Sequence, residues 1–274
     1  MIAHRAQPGE RATGTSRARR FPYSSGMSQS TLQASPSTPA TPLIGCAGWS
    51  LPGAAAEHFP AAGSHLERYA AVFNCVEINS SFYRPHQPKT YARWAAATPP
   101  HFRFAVKLPK AITHEARLVG VDDALARFAG EAGALQEKLG CILVQLPPSL
   151  VLDPAAAGAL FAALHQRFDC LLACEARHPS WFTPAGTQLL RDNGVTRVLA
   201  DPVVGYTGPF EPTAPQAYVR LHGSPRIYYS AYDAQRLADV HAWLKNQQQA
   251  WCIFDNTAGG AAVPDALALM GMSE

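Results

Sequence analysis

Five residues of the chain have side chains suited to moving protons or holding charge. Each stands at or just past the end of a short apolar run: Glu77, Lys107, Glu175, Arg177 and His222. A carboxylate beside basic groups is the raw material of acid/base catalysis, because burial and neighbouring charge move pKa values toward the working pH. Glu77 or Glu175 is therefore the expected general acid or base. Lys107 and Arg177 would hold charge or tune that pKa, and His222 would assist proton transfer. Ten further residues lie at or near the ends of such runs and are expected to bind substrate: Trp49, Asn79, Tyr83, His114, Gln145, His178, Asp201, Arg220, Gly223 and Asn256. Plainer roles compete at each position. Glu175 with Arg177 makes a structural ion pair, Lys107 finds Glu77 or Glu175 for the same reason, and His114 or Trp49 packs or caps.

Residues so far apart in sequence form one site only if the fold gathers them. Eight short apolar runs, at 43–47, 75–79, 102–108, 141–146, 171–175, 197–200, 217–222 and 251–255, read as strands buried on both faces. Amphipathic or Ala-rich stretches at 65–73, 89–97, 122–139, 155–168, 184–193 and 233–247 alternate with them and read as helices. Pro154 and Pro184 suit first helical turns, and Asn193-Gly194 reads as a helix stop. The segment 202–216 holds four prolines and two glycines without a helical period, so an irregular loop replaces the helix between strands six and seven. This pattern predicts a TIM-like (β/α)8 barrel of parallel strands over 42–274. In that architecture every strand C-terminus meets at one mouth, where such folds place their sites. Gly223-Ser224 and Gly259-Gly260 follow strands seven and eight, where barrel loops often hold a phosphate.

Composition narrows the function. Of 23 basic and 20 acidic residues, Arg5, Arg11, Arg17, Arg19 and Arg20 but only Glu10 fall in the first 40, so the predicted barrel is close to neutral. That does not support broad nucleic-acid binding through phosphates, and it leaves a small anionic ligand as the expected partner. Residues 1–41, rich in Arg, Ser and Pro, read as a disordered leader, with Met27 an alternative start. No apolar stretch reaches the roughly 18 residues that span a bilayer. The six cysteines lack CxxC spacing and mostly sit in or beside apolar runs, which suits reduced thiols in a cytoplasmic protein. Glu77, Glu175, His178, Asp201 and His222 are ligand types for zinc or manganese, yet no HExxH-like spacing joins them. A divalent metal is compatible with the sequence and not required by it, and the cofactor is left unassigned.

Several motifs jointly resemble the domain of unknown function 72 family, also called YecE-like. They are GCAGW at 45–49, VEINSSFY at 76–83, FAVK at 104–107 with ITH at 112–114, QLPP at 145–148, CEARHPSW at 174–181, YVRLHG at 218–223 and FDN at 254–256. The resemblance runs in order over 43–271 and implies a TIM-like barrel, with no reaction attached. Two stretches depart from the family pattern. A second Trp is missing after Trp49, and Asp255-Asn256 stands where Asn-Asn is common. The expected function is an enzyme acting on a small anionic substrate, phosphorylated or sugar-like. The alternatives are a metal-dependent phosphodiesterase similar to endonuclease IV and a non-catalytic ligand-binding barrel.

Overall fold

The computed structural model describes residues 41–272. Of the predicted leader 1–41, residues 1–40 lie outside the described residues. Eight parallel strands follow one another in the expected places: β1 Leu43–Cys46, β2 Cys75–Ile78, β3 Arg103–Lys107, β4 Leu139–Gln145, β5 Leu171–Glu175, β6 Thr196–Asp201, β7 Gln216–Leu221 and β8 Gln249–Phe254. From β2 to β8 each strand pairs with the next, and β8 pairs with β1, which leaves β1 and β2 as the two edges of the sheet. Among the described residues, seven α-helices surround them: α1 His65–Ala70, α2 Pro88–Ala96, α3 Asp122–Ala132, α4 Pro154–His165, α5 Pro184–Asp192, α6 Ala234–Leu244 and α7 Ala262–Gly271.

Local chemistry explains the helix boundaries. Ser64 and Glu67 form a reciprocal capping box on α1. Asp153, Thr183 and Asp233 cap α4, α5 and α6, with Pro154 and Pro184 in the first turns. Gly194 takes φ +61° directly after α5, a conformation that favours glycine, and sends the chain into β6. Between β6 and β7 there is no helix, as the prolines and glycines predict. Arg197 holds that loop down, donating to the Glu211 and Trp181 carbonyls, while its own N–H donates to the Thr213 hydroxyl. All six cysteines are unbridged, and five are buried. Among the described residues, no helix is long and apolar enough to cross a membrane.

The strands point alternate residues inward. Cys75, Ala105, Cys141, Leu143, Ala173, Val198, Tyr218, Trp251 and Ile253 fill the barrel as one apolar cluster. Small residues on some strands make room for large ones on others, and Tyr218 stacks on Trp251 at 5.9 Å. This apolar plug is the floor on which the polar mouth rests.

The barrel closes at the β1–β2 seam, where a single backbone bridge, Ala47 to Glu77, is formed. Side chains complete the seam. The Tyr69 hydroxyl accepts from Cys46 N–H at 2.8 Å and donates to the Cys75 carbonyl at 3.0 Å. Asn74 adds a second stitch, accepting from Ile44 N–H and donating to the Pro42 carbonyl. Gly45 is required here, because a Cβ would collide with the Cys75 carbonyl and the Tyr69 hydroxyl. Tyr69→Phe strands one buried N–H and one buried carbonyl. The expected loss is about 2–4 kcal/mol in chemical denaturation. A loss below about 1 kcal/mol would show that the seam does not depend on this hydroxyl.

Candidate active site at the barrel mouth

Above the apolar floor, the inward positions change from apolar to charged. Arg220, one inward step beyond Tyr218 on β7, is fully buried and grips three carboxylates. It binds Glu77 through two contacts, Nε to Oε2 at 3.0 Å and Nη2 to Oε1 at 2.7 Å. It reaches Glu175 Oε2 at 2.5 Å and Asp255 Oδ2 at 3.0 Å. Tyr218 donates to Glu77 Oε2 at 2.9 Å. Arg177, just past β5, donates twice to Glu175 Oε1, at 2.9 and 2.7 Å. His222 Nδ1 lies 3.0 Å from Asp255 Oδ2, while its Nε2 faces Glu175 Oε1 at 3.3 Å without hydrogen-bond alignment.

This network sets the electrostatics. Burial pushes the Glu175 carboxyl up, but Arg220, Arg177 and His222 together hold it well below the usual range. Asp255 behaves alike: burial is outweighed by Arg220 and His222, leaving it at about 2. For His222, burial favours the neutral ring, yet Glu175 and Asp255 prevail and raise its pKa above the usual 6.5.

Lys107 stands apart. It ends β3 on the inward register, beside Leu143, and is only 6% exposed. Its Nζ lies 4.0 Å above the Phe82 ring centroid. It closes no ion pair or hydrogen bond with any described residue, because the nearby carboxylates already face guanidinium groups. Burial, reinforced by Arg220 and opposed by Asp255, Glu77 and Glu175, lowers its pKa to about 8. His114 packs edge-on against the same Phe82 ring at 4.9 Å, and its Nδ1 lies 2.8 Å from Thr113 Oγ1. Burial, then Lys107 and Arg177, push His114 down to about 4, so it is neutral at physiological pH.

The structure thus gathers Glu77, Lys107, Glu175, Arg177, Arg220, His222 and His114 around one mouth. Gln145 is buried beside Glu175 in register, and the buried Asn79 Oδ1 has no hydrogen-bond partner among the described residues. Tyr83, 54% exposed, stands at the rim edge-on to Phe82. Other candidates turn elsewhere. Asp201 is out of phase with the inward Val198 and Ala200, and it pairs with Arg236 of α6 on the outer face at 2.7 Å. Asn256 is one residue past inward Asp255 and donates to Asp265 of α7 and to the Ser230 carbonyl. Gly223 N–H is engaged by the Tyr232 hydroxyl, and Gly260 N–H by the Thr257 carbonyl, so neither is open to a phosphate. Trp49 packs edge-on against Trp94 at 5.0 Å, and His178 Nδ1 is engaged by Ser180 as the cap of a short helix.

Four site residues were not singled out from sequence: Asp255, Tyr218, Phe82 and Tyr228. Strict two-residue alternation from Trp251 would have favoured Asp255 over Asn256. Tyr228 carries no such signal. It follows β7 in a loop at φ +71°, its N–H donates to the His222 carbonyl, and its ring lies 5.7 Å from the imidazole.

Glu77, Glu175 and Asp255 face cations rather than an open space between them. Among the described residues, no group of three or more His, Cys, Asp or Glu is placed to hold a metal ion. A cleft of about 570 Å³ opens beside the mouth between the loops after β1 and β8, lined by Gly48, Pro52, Tyr229 and Gly260 among others. Another of about 530 Å³ lies at the opposite end of the barrel, around Arg103, Gln216 and Gln249.

Comparison with known proteins places this geometry in context. Residues 43–274 match the family model described as Protein of unknown function DUF72. The UPF0759 protein YecE of Escherichia coli K12 is 33% identical over 144 residues, 50% of this chain and 52% of that protein. The chain thus spans about half the length of the Escherichia coli relatives it matches. The UPF0759 protein YunF of Bacillus subtilis 168 is 26% identical over 255 residues, 80% of this chain and 90% of that protein. A DUF72 family protein of Thermotoga maritima MSB8 has a similar structure, with TM-score 0.70 at 25% identity, covering 85% of this chain and 99% of that one. One from Enterococcus faecalis V583 gives 0.71 at 22% identity, covering 84% and 94%, and shows the same fold.

Proposed function

The chain belongs to the DUF72 family, and on that premise we propose that it is an enzyme that binds a small anionic substrate, phosphorylated or sugar-like, at the C-terminal mouth of the barrel. One observation carries this reading. Lys107 is a buried amine with no ion-pair partner, in a mouth whose three carboxylates are already matched by Arg220, Arg177 and His222. With His222 protonated, Lys107, Arg177, Arg220 and His222 bring four positive groups against Glu77, Glu175 and Asp255. The missing negative charge is what an anionic ligand supplies.

The same contacts divide the labour. Glu77, with both oxygens on Arg220 and a third bond from Tyr218, is framework rather than base. Glu175 is held ionised by two arginines and cannot readily take a proton. Proton transfer falls to Lys107, which burial lowers to about 8, and to His222, which Glu175 and Asp255 raise against the effect of burial. Tyr83 and Tyr228, about half and two-fifths exposed, offer flat rim surfaces of the kind a sugar ring packs on.

A thermal-shift series with inorganic phosphate, ribose 5-phosphate, glucose 6-phosphate and gluconate tests the proposal. A ligand at 100 times its Kd stabilises by about 2.7 kcal/mol, a rise of roughly 5–10 °C for a domain of this size. At least one anion is expected to give such a rise, and Lys107→Met or Arg177→Gln to remove most of it. Stabilisation by neutral sugars alone, or anion binding indifferent to both substitutions, would refute it.

A further inference from the structure

We propose that Lys107 is a nucleophile and that the substrate is an anionic aldehyde or ketone, which the Lys107 amine captures as an imine. This rests on the mouth being an anion site and names the chemistry of the ligand that enters it.

Lys89, Lys110 and Lys245 are exposed, and Lys110 pairs with Glu115 at 2.7 Å. Lys138 is partly buried, and its Nζ donates to the Ala95 and Thr98 carbonyls. Only Lys107, among the described lysines, is buried without a hydrogen bond or ion pair. A cation kept for stability would be paired, and a cation kept only to hold an anion would be served better by arginine, which stays charged and binds bidentately. The mouth already holds two arginines. A lysine differs from them in one useful respect, which is that it can lose its proton and present a lone pair.

The surroundings favour that loss. Burial and the positive Arg220 both act against the ammonium, and the resulting value of about 8 leaves about a tenth of the side chain as free amine at pH 7. That is roughly 200-fold more than for an ordinary exposed lysine. The Phe82 ring beneath Nζ restricts where the amine points and stabilises a positive charge there, whether ammonium or the iminium that replaces it. Arg177 stands ready for the substrate's anionic group, with its side chain 16% exposed.

The step balances without a redox partner. The Nζ lone pair forms a bond to the carbonyl carbon, and the carbonyl π electrons move to oxygen, which takes up a proton as the nitrogen gives one away. His222, protonated between two carboxylates, gives a proton to the new hydroxyl. The nitrogen lone pair then forms the C=N bond as the C–O bond breaks and water leaves. One carbonyl, one amine and the proton from His222 become one protonated imine and one water. The protonated imine acidifies the neighbouring C–H, the usual reason for binding a carbonyl this way.

Borohydride trapping tests the inference. The full chain is incubated with glyceraldehyde 3-phosphate or pyruvate, reduced with sodium borohydride, and the modified peptides are quantified by mass spectrometry. Lys107 is expected to be modified at least tenfold faster than Lys89, Lys110 or Lys245 at pH 7, with the rate levelling above about pH 8 and with inorganic phosphate protecting it. Lys107→Arg should abolish trapping while retaining the phosphate-dependent rise in Tm. If Lys107 is modified no faster than the exposed lysines, the inference is overturned. In that case a phosphate-dependent Tm rise that Lys107→Met removes would leave the anion site standing alone. If no anion raises Tm, the proposed function fails independently of the trapping result.

Discussion

Arg220→Met is expected to destabilise the protein by about 3–5 kcal/mol, close to the whole stability of many domains. Arg220 is completely enclosed and is the partner shared by Glu77, Glu175 and Asp255. Removing it leaves Glu175 with Arg177 and Asp255 with His222, but leaves Glu77 with only the Tyr218 hydroxyl. A buried carboxylate without a counter-charge is among the costliest defects a fold can carry. The pair itself is a different matter, since replacing both partners by apolar groups of similar size is often tolerated. Arg220→Met combined with Glu77→Leu should therefore recover more than half of the loss. Urea denaturation of the three proteins decides this. A single variant within about 1 kcal/mol of the parent would show that the cluster is not the electrostatic keystone of the barrel. A double variant worse than the single would show that Glu77 has a partner other than Arg220 that matters more.

Lys107→Met should do the opposite and stabilise the protein at neutral pH while weakening ligand binding. In the folded protein burial holds Lys107 at about 8, below the usual 10.5. Below pH 8 the side chain is charged in both states, and folding bears the full burial penalty, about 3 kcal/mol. Loss of the Phe82 contact takes back roughly 1 kcal/mol, so a net gain of about 2 kcal/mol is expected at pH 7. Between pH 8 and 10.5 the unfolded chain binds more protons at this position than the folded one, so the parent gains stability as pH rises. The advantage of the variant should shrink steadily over that window. His222 runs against this trend. Its raised pKa contributes stability that is complete below about 6.5 and is lost as pH rises through its folded value. Asp255 and Glu175 contribute stability present above about 4, which is lost as pH falls through their depressed values. Because those groups are common to both proteins, the difference between parent and variant isolates Lys107. A variant less stable than the parent at pH 7, or a gap independent of pH from 7 to 10.5, would remove the claim that this amine is held under strain.

The positions of the eight strands were legible in the chain because each is apolar through its middle and ends in polar residues, as a strand covered on both faces and opening on a mouth must be. The missing helix between β6 and β7 was legible in Pro202, Pro209, Pro212 and Pro215, which deny a helix its hydrogen bonds. The gathering of Glu77, Lys107, Glu175, Arg177 and His222 followed from parallel strands alone, since their C-termini share one rim whatever the spacing. Asp201 and Asn256 were harder to place. The two-residue alternation of a strand decides which neighbour faces inward, and an error of one residue exchanges mouth for outer face. Asp255 and not Asn256 holds His222 for that reason, and Asp201 serves Arg236 instead.

What no local pattern carried was which charges cancel. Arg220 lies 143 residues from Glu77 and 45 from Glu175, and their pairing depends on which strands stand opposite one another across the closed barrel. Sequence alone established the residue types, the strand ends that present them and the shared rim. Tertiary structure alone decided that the three carboxylates are saturated and that Lys107 is not. The reason is physical. Burial and Coulomb interaction are properties of distances between side chains, and those distances are fixed only when the last strand closes on the first.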